Sequence, residues 1–192
     1  MPKPYPAFSD LPVTPNGGFD LLRRYIQDVR YELLISNMQW DADQDEESPG
    51  FQIVEGIADL YRNIKANPAA YPRGLTVRIL LGNYPNVTTL QYGDQIWNVI
   101  DDLRAAGVDK MEDPEVGWKL EVANYKGSYP HSHTKFIVMD GKRLMSAGFN
   151  ISWLHYPDTH PSGKGDGLTD LGMAMEGPVA QPALAVFDDQ WN

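Results

Sequence analysis

The sequence predicts an α/β layered domain, and three observations predict it. Short apolar runs of strand length alternate with stretches whose apolar residues recur at helical spacing. Leu75-Thr76-Val77-Arg78-Ile79-Leu80-Leu81 is a clear buried strand between two such helical stripes. An Asp140-Gly141 pair separates two apolar runs, the signature of a hairpin turn. Strands interleaved with helices pack as layers around one core, and 192 residues, 42% of them hydrophobic, suffice for a single sizeable core.

Taken in order, residues 1–18 hold several prolines and end on Gly17-Gly18, so they read as an irregular arm. Phe19, Leu21, Leu22, Tyr25, Ile26 and Val29 predict a first helix over about 19–29. Tyr31 to Met38 is a strand-length apolar run, and the acidic stretch Trp40 to Gly50 reads as a loop closed by Pro49-Gly50. Phe51, Val54, Ile57, Ala58, Tyr61 and Ile64 form a helical stripe over 51–66, broken by Asn67-Pro68 and Tyr71-Pro72. Gly82 to Asn86 after the buried strand is a loop. A helix over about 93–106 follows, with Gly107 as its C-terminal cap. Residues 119–124 predict a strand, 152–167 a long Pro/Gly loop and 171–175 a strand. Gly177-Pro178 opens a last helix through Val179, Phe187 and Trp191.

Composition excludes several function classes. The absence of cysteine removes disulfides, thiolate catalysis and Cys-based zinc sites. No apolar run approaches transmembrane length, and the Pro-rich start Met1 to Pro6 lacks the apolar core of a signal peptide. A net charge of −10 disfavours a broad nucleic-acid-binding surface, which needs clustered Lys and Arg.

The chemistry-bearing stretch is His131 to Gly141. On a strand, His133 and Lys135 would point the same way, about 7 Å apart. Thr134, Phe136 and Val138 would point the other way. Asp140-Gly141 turns the chain, Leu144 to Ala147 returns it, and Gly148-Phe149-Asn150 ends the hairpin. An imidazole, a fixed cation and a carboxamide then meet at one end.

The pattern is H-x-K-x-x-x-x-D with an asparagine ten residues after the Asp. It resembles the HKD motif of the phospholipase D superfamily, matched by His133, Lys135, Asp140 and Asn150. Ala147 and Gly148 stand where that family usually has Gly and Ser. The resemblance extends over roughly residues 19–191: Arg73 to Leu81 looks like the family's second strand segment, Leu103 to Val108 like the helix end after it, and Asp170 to Trp191 like the closing strand and helix of a lobe. It implies an α-β-α lobe with a mixed sheet over 19–192, read here as the N-terminal half of a two-lobe enzyme.

The resemblance also implies a mechanism. His133 would attack phosphorus and form a covalent phosphohistidine. Lys135 and Asn150 would stabilise the non-bridging oxygens, and Asp170 would orient the nucleophile. Asp140 has a mostly structural role in the family. No metal or other cofactor is called for. The leaving-group acid would be the His of a second HKD motif, and this sequence has one motif only, since His131, His155 and His160 lack a Lys two residues on. The partner is therefore a second lobe, from the same polypeptide or a homodimer. The expected substrate is a phosphodiester, phospholipid ahead of nucleic acid. The alternatives are a homodimeric endonuclease and a degenerate lobe that binds phosphate or serves assembly. His131, His155 and His160 read as loop residues, and Trp153, Leu154 and Tyr156 as packing.

Overall fold

The computed structural model describes residues 18–41, 48–83, 94–127 and 131–192. The arm before residue 18 and most of the 40–50 and 82–86 loops lie outside them.

The first strand-forming unit is α1 (Phe19–Gln27), β1 (Glu32–Asn37), α2 (Pro49–Ala66) and β2 (Leu75–Leu81). The next is α3 (Asp94–Ala105), β3 (Glu112–Asp113) and β4 (Trp118–Asn124). The chain then forms β5 (Phe136–Met139), β6 (Arg143–Ala147), β7 (Gly172–Glu176) and α4 (Ala180–Trp191). The strands make one sheet in the order β3-β4-β2-β1-β5-β6-β7. β1 pairs parallel with β2, and β2 with β4. β5, β6 and β7 run antiparallel to their neighbours, and so does β3. The expected α/β domain with a mixed sheet is what forms.

One face of the sheet carries most of the core. Phe19, Leu22 and Ile26 of α1, a broad stripe of α2, and Val99 and Leu103 of α3 pack on Leu33, Ile35, Val77, Ile79 and Ile137. The other face is covered by α4, whose Ala180 and Phe187 bury Leu34, Val138 and Leu144. The strand alternation puts Ile137 and Met139 on one side and Phe136 and Val138 on the other, the period-two pattern expected of a strand covered on both faces.

Several boundaries differ from the sequence reading. Pro49-Gly50 does not stop a loop but opens α2: the Ser48 hydroxyl accepts from the Phe51 N–H at 3.0 Å, and Pro49 sits in the first turn, where its missing N–H costs nothing. The two-residue strand β3 was not anticipated and is too short to show a period. The 152–167 loop contains a single 3-10 turn, Trp153–His155. Gly107, at φ 91°, does close α3, with the Val108 N–H donating back to the Leu103 carbonyl at 2.9 Å.

Candidate active site

The topology converges chemistry on one end of the sheet. β5 begins where β1 ends, Phe136 opposite Ser36. β6 ends and β7 begins at the same level, Ala147 opposite Gly172. So His133 and Lys135, which precede β5, meet Gly148 to Asn150 after β6 and Asp170 before β7. In open α/β sheets, ligand sites lie at strand carboxyl ends where the strand order switches. Here that place is the C-terminal end of β1, between parallel β2 and antiparallel β5.

The His133–Lys135 segment is not itself strand; β5 starts one residue later. It is held by a hydroxyl network instead. Thr134 Oγ1 lies 2.6 Å from Ser36 Oγ and 2.9 Å from Ser132 Oγ, and donates to Gln190 Oε1 of α4 at 3.2 Å. The Ser132 N–H donates to the Gly82 carbonyl at 2.8 Å. A side chain at Gly82 would press on the Ser132 carbonyl and stand 2.7 Å from Met38 Cα. Glycine there lets the segment cross the end of β2.

His133 is exposed and Lys135 only 8% so. Lys135 Nζ is 3.1 Å from His133 Nδ1, 3.4 Å from Nε2 and 3.3 Å from the His133 carbonyl oxygen. An ammonium can only donate, so the ring nitrogen it meets carries a lone pair. Burial lowers the Lys135 pKa from the usual lysine value, and the Asp170 charge opposes the shift.

Asp170 accepts from the Leu171 N–H at 2.8 Å. Its charge acts on Lys135 and His155. Among the described residues it makes no hydrogen bond to His133, the contact the sequence reading gave it. Its carboxylate instead lies against Gly148: a Cβ there would stand 2.6 Å from Asp170 Cγ. Asn150 lies at the same end, its Oδ1 enclosed and without a partner among the described residues.

Asp140 is elsewhere. It sits at the far end of β5, in a left-handed conformation at φ 53°. Its carboxylate accepts from the backbone N–H groups of Arg30 (2.9 Å), Tyr31 (2.9 Å) and Glu32 (3.0 Å), and the Tyr31 hydroxyl donates to its carbonyl. It ties the hairpin turn to the start of β1 and does not face the His133–Lys135 pair.

Sequence reasoning missed three residues here. Asn37 Oδ1 accepts from the Gln39 and Ile151 N–H groups. Asp41 Oδ2 accepts from Ser152 Oγ at 2.7 Å and the Trp153 N–H at 2.9 Å. His155 Nε2 accepts from the Asn150 N–H at 3.1 Å. Nothing local distinguishes them; only the fold brings β1's end against the 150–155 turn. Trp153 and Tyr156 are buried packing residues, and the His160 ring lies against Tyr156, centroids 4.5 Å apart at a 36° tilt. Among the described residues no three His, Asp or Glu side chains cluster as a metal site.

A groove of about 300 Å³ runs between α1 and the paired strands β6 and β7, lined by Phe19, Leu22, Tyr25, Met145, Phe149 and Asp170 among others.

No protein-family model matches the chain. The chain is 29% identical over 180 residues to a phospholipase D of Streptomyces antibioticus, covering 90% of this chain and 28% of that protein. It thus spans under a third of the curated relative it matches. Among solved structures it is similar to NucT from Helicobacter pylori, with a TM-score of 0.57, 13% identity and coverage of 94% and 91% of the two chains. It is also similar to phosphatidylserine synthase of Haemophilus influenzae Rd KW20, with a TM-score of 0.51, 14% identity and coverage of 88% and 34%.

Proposed function

Taking the chain as a member of the phospholipase D superfamily, which its motif, its sheet and its sequence match together indicate, we propose that it carries one half of a phosphodiester-cleaving or phosphatidyl-transferring site acting through phosphohistidine. The observation that carries this reading is Lys135 Nζ held against the His133 ring at 3.1 Å, at the end of the sheet where Asn150 and Asp170 also lie.

His133 is the exposed member, as a nucleophile must be. Its ring nitrogen attacks phosphorus, forming an N–P bond as the P–O bond to the leaving alcohol breaks. Lys135, buried and fixed by its hydrogen bonds, meets the charge gathering on the non-bridging oxygens; binding an anionic ester draws its N–H groups from the imidazole to the phosphoryl group. Asn150 supplies a carboxamide to the same oxygens. The proton for the leaving alkoxide comes from a His of a second lobe. Water or an acceptor alcohol then gives that His a proton, attacks phosphorus and releases His133.

The substrate we favour is a phospholipid. An acidic chain is repelled by a polyanionic duplex, and the groove that Asp170 lines is largely apolar. The test is His133→Ala in the complete two-lobe assembly, assayed on phosphatidylcholine vesicles and on single-stranded DNA. Loss of turnover with retained circular dichroism is expected. Turnover at the parent rate overturns the reading, and cleavage of DNA alone overturns the lipid assignment.

A further inference from the structure

The backbone that carries Asn150 is pinned on both sides. The Gly148 N–H donates to the Leu171 carbonyl at 3.0 Å, and the Ile151 N–H to the Gln39 carbonyl at 3.2 Å. The Asn150 N–H between them goes to a side chain, His155 Nε2, at 3.1 Å. His155 is itself placed by the 3-10 turn that Asp41 anchors through Ser152 and Trp153.

The hydrogen bond fixes the tautomer. Nε2 accepts, so the neutral ring carries its proton on Nδ1. Nδ1 is enclosed, and the Leu168 carbonyl is the backbone acceptor the ring meets. The ring lies against Phe149, centroids 6.1 Å apart at 58°. Burial lowers its pKa from the ordinary value, and the Lys135 charge before β5 adds to that; Asp170 before β7, the Leu168 carbonyl and Asp41 after β1 oppose it without reversing it.

A role as the leaving-group acid fails on this geometry. An acid must present a ring N–H to the departing oxygen. The Nε2 lone pair is already engaged, and Nδ1 has no exposed surface. What is left is what the ring does to its neighbour.

We propose that His155 is a positioning residue: through the lone pair of Nε2 it fixes the backbone of Asn150 and so aims the Asn150 carboxamide at the phosphoryl oxygens that Lys135 binds. The proposal rests on the phosphoryl-site reading above. It explains why an imidazole, rather than an apolar side chain, fills this half-buried place against Phe149: the Asn150 N–H has to be satisfied there. Hydrogen bonds weaken steeply once distance or angle leaves a narrow range, so a loose Asn150 backbone acts like a missing Asn150 side chain.

The test uses the full chain and orthovanadate, a phosphoryl-like oxyanion, as the probe. His155→Leu is expected to weaken vanadate binding about tenfold by calorimetry, the loss of one good hydrogen bond. His155→Gln, which carries an acceptor near the Nε2 position, is expected to recover most of that loss. Asn150→Ala is expected to weaken binding similarly, and adding His155→Leu to it is expected to change nothing further, because the two act as one unit. An undiminished effect of His155→Leu in the Asn150→Ala background overturns the proposal. The second measurement is the ¹⁵N spectrum of the imidazole: an Nδ1–H tautomer at neutral pH, with an Asn150 amide resonance that moves in His155→Gln, supports it. An Nε2–H tautomer overturns it alone. Absence of vanadate binding to the parent chain overturns the phosphoryl-site reading, and the proposal with it.

Discussion

The carboxylate of Asp170 occupies the space that a side chain at residue 148 would need, with Asp170 Cγ 2.6 Å from where a Cβ on Gly148 would stand. The carboxylate is held there by the Leu171 N–H at 2.8 Å, and Leu171 is tied to residue 148 by a backbone bond. A side chain at residue 148 would displace the carboxylate from that bond. Gly148→Ser should therefore cost about 1–3 kcal/mol in urea unfolding, the range of an overpacked site. The cost should largely vanish in an Asp170→Gly background, since the two groups are in contact. An equal penalty in both backgrounds would mean that the serine is excluded for some other reason.

Lys135 gives a pH prediction with a definite sign. Burial puts its folded-state pKa below the free value of 10.5, and the Asp170 charge resists that shift. Between those two values the unfolded chain holds the proton more tightly, so stability rises as pH climbs through that window. Below the folded-state value the burial penalty is fully present. Lys135→Met should be more stable than the parent at neutral pH, and the difference should shrink as pH approaches 10.5. Asp170→Asn should widen the window by removing the opposing charge. Urea midpoints across this range decide it: a difference that stays constant with pH refutes the assignment.

Asp140 separates a structural from a catalytic role. Its carboxylate satisfies three backbone N–H groups at the entrance to β1 and its carbonyl takes the Tyr31 hydroxyl. Asp140→Ala should destabilise the fold by about 3 kcal/mol, since charged acceptors are lost and donors are left unmet. Vanadate affinity of the folded protein should stay within about twofold. A loss of affinity as large as that of Lys135→Ala, with little loss of stability, would place Asp140 in the chemistry after all.

These cases also show what the sequence carries and what it does not. The strand at Leu75 to Leu81 and the stripes of α1 and α2 were legible because period-two and helical patterns follow directly from which side is buried. The Asp140-Gly141 turn was legible from local chemistry, and both residues do take positive φ. The reach of Asp140 to Arg30, Tyr31 and Glu32 was not, because it spans more than a hundred positions of chain. The same holds for His155 and Asp41. Each looks like an ordinary loop residue until β1's end is laid against the 150–155 turn. His133 and Lys135 were found by spacing, but the alternation argument gave the wrong local reason: they precede β5 and are held by Thr134's hydroxyl contacts and by the Lys135–His133 bond.

The last prediction concerns the missing acid. In this chain His155 is locked by the Asn150 N–H, and His160 is buried, its Nδ1 bonded to Ser162. Neither can face a leaving group opposite His133. On the proposed function the second histidine comes from another lobe, and exposed apolar residues near the site offer it a place. Leu171 and Met173, before and on the edge strand β7, are 77% and 64% exposed, and Val179 and Val186 beside and on α4 are exposed too. Large exposed apolar residues gathered on one sheet edge commonly mark an interface. The chain alone, kept monomeric, should show no phosphodiesterase activity above background. Activity should appear on mixing with a separately expressed second lobe, or with rising concentration if two copies of this chain complete each other. Leu171→Lys with Met173→Lys should weaken that gain at least tenfold and leave vanadate binding by the monomer unchanged. Sedimentation at the assay concentration is the control. Robust turnover by a sample shown to be strictly monomeric would contradict the two-half-site account, and would require an acid from within this lobe, with His131 the remaining candidate.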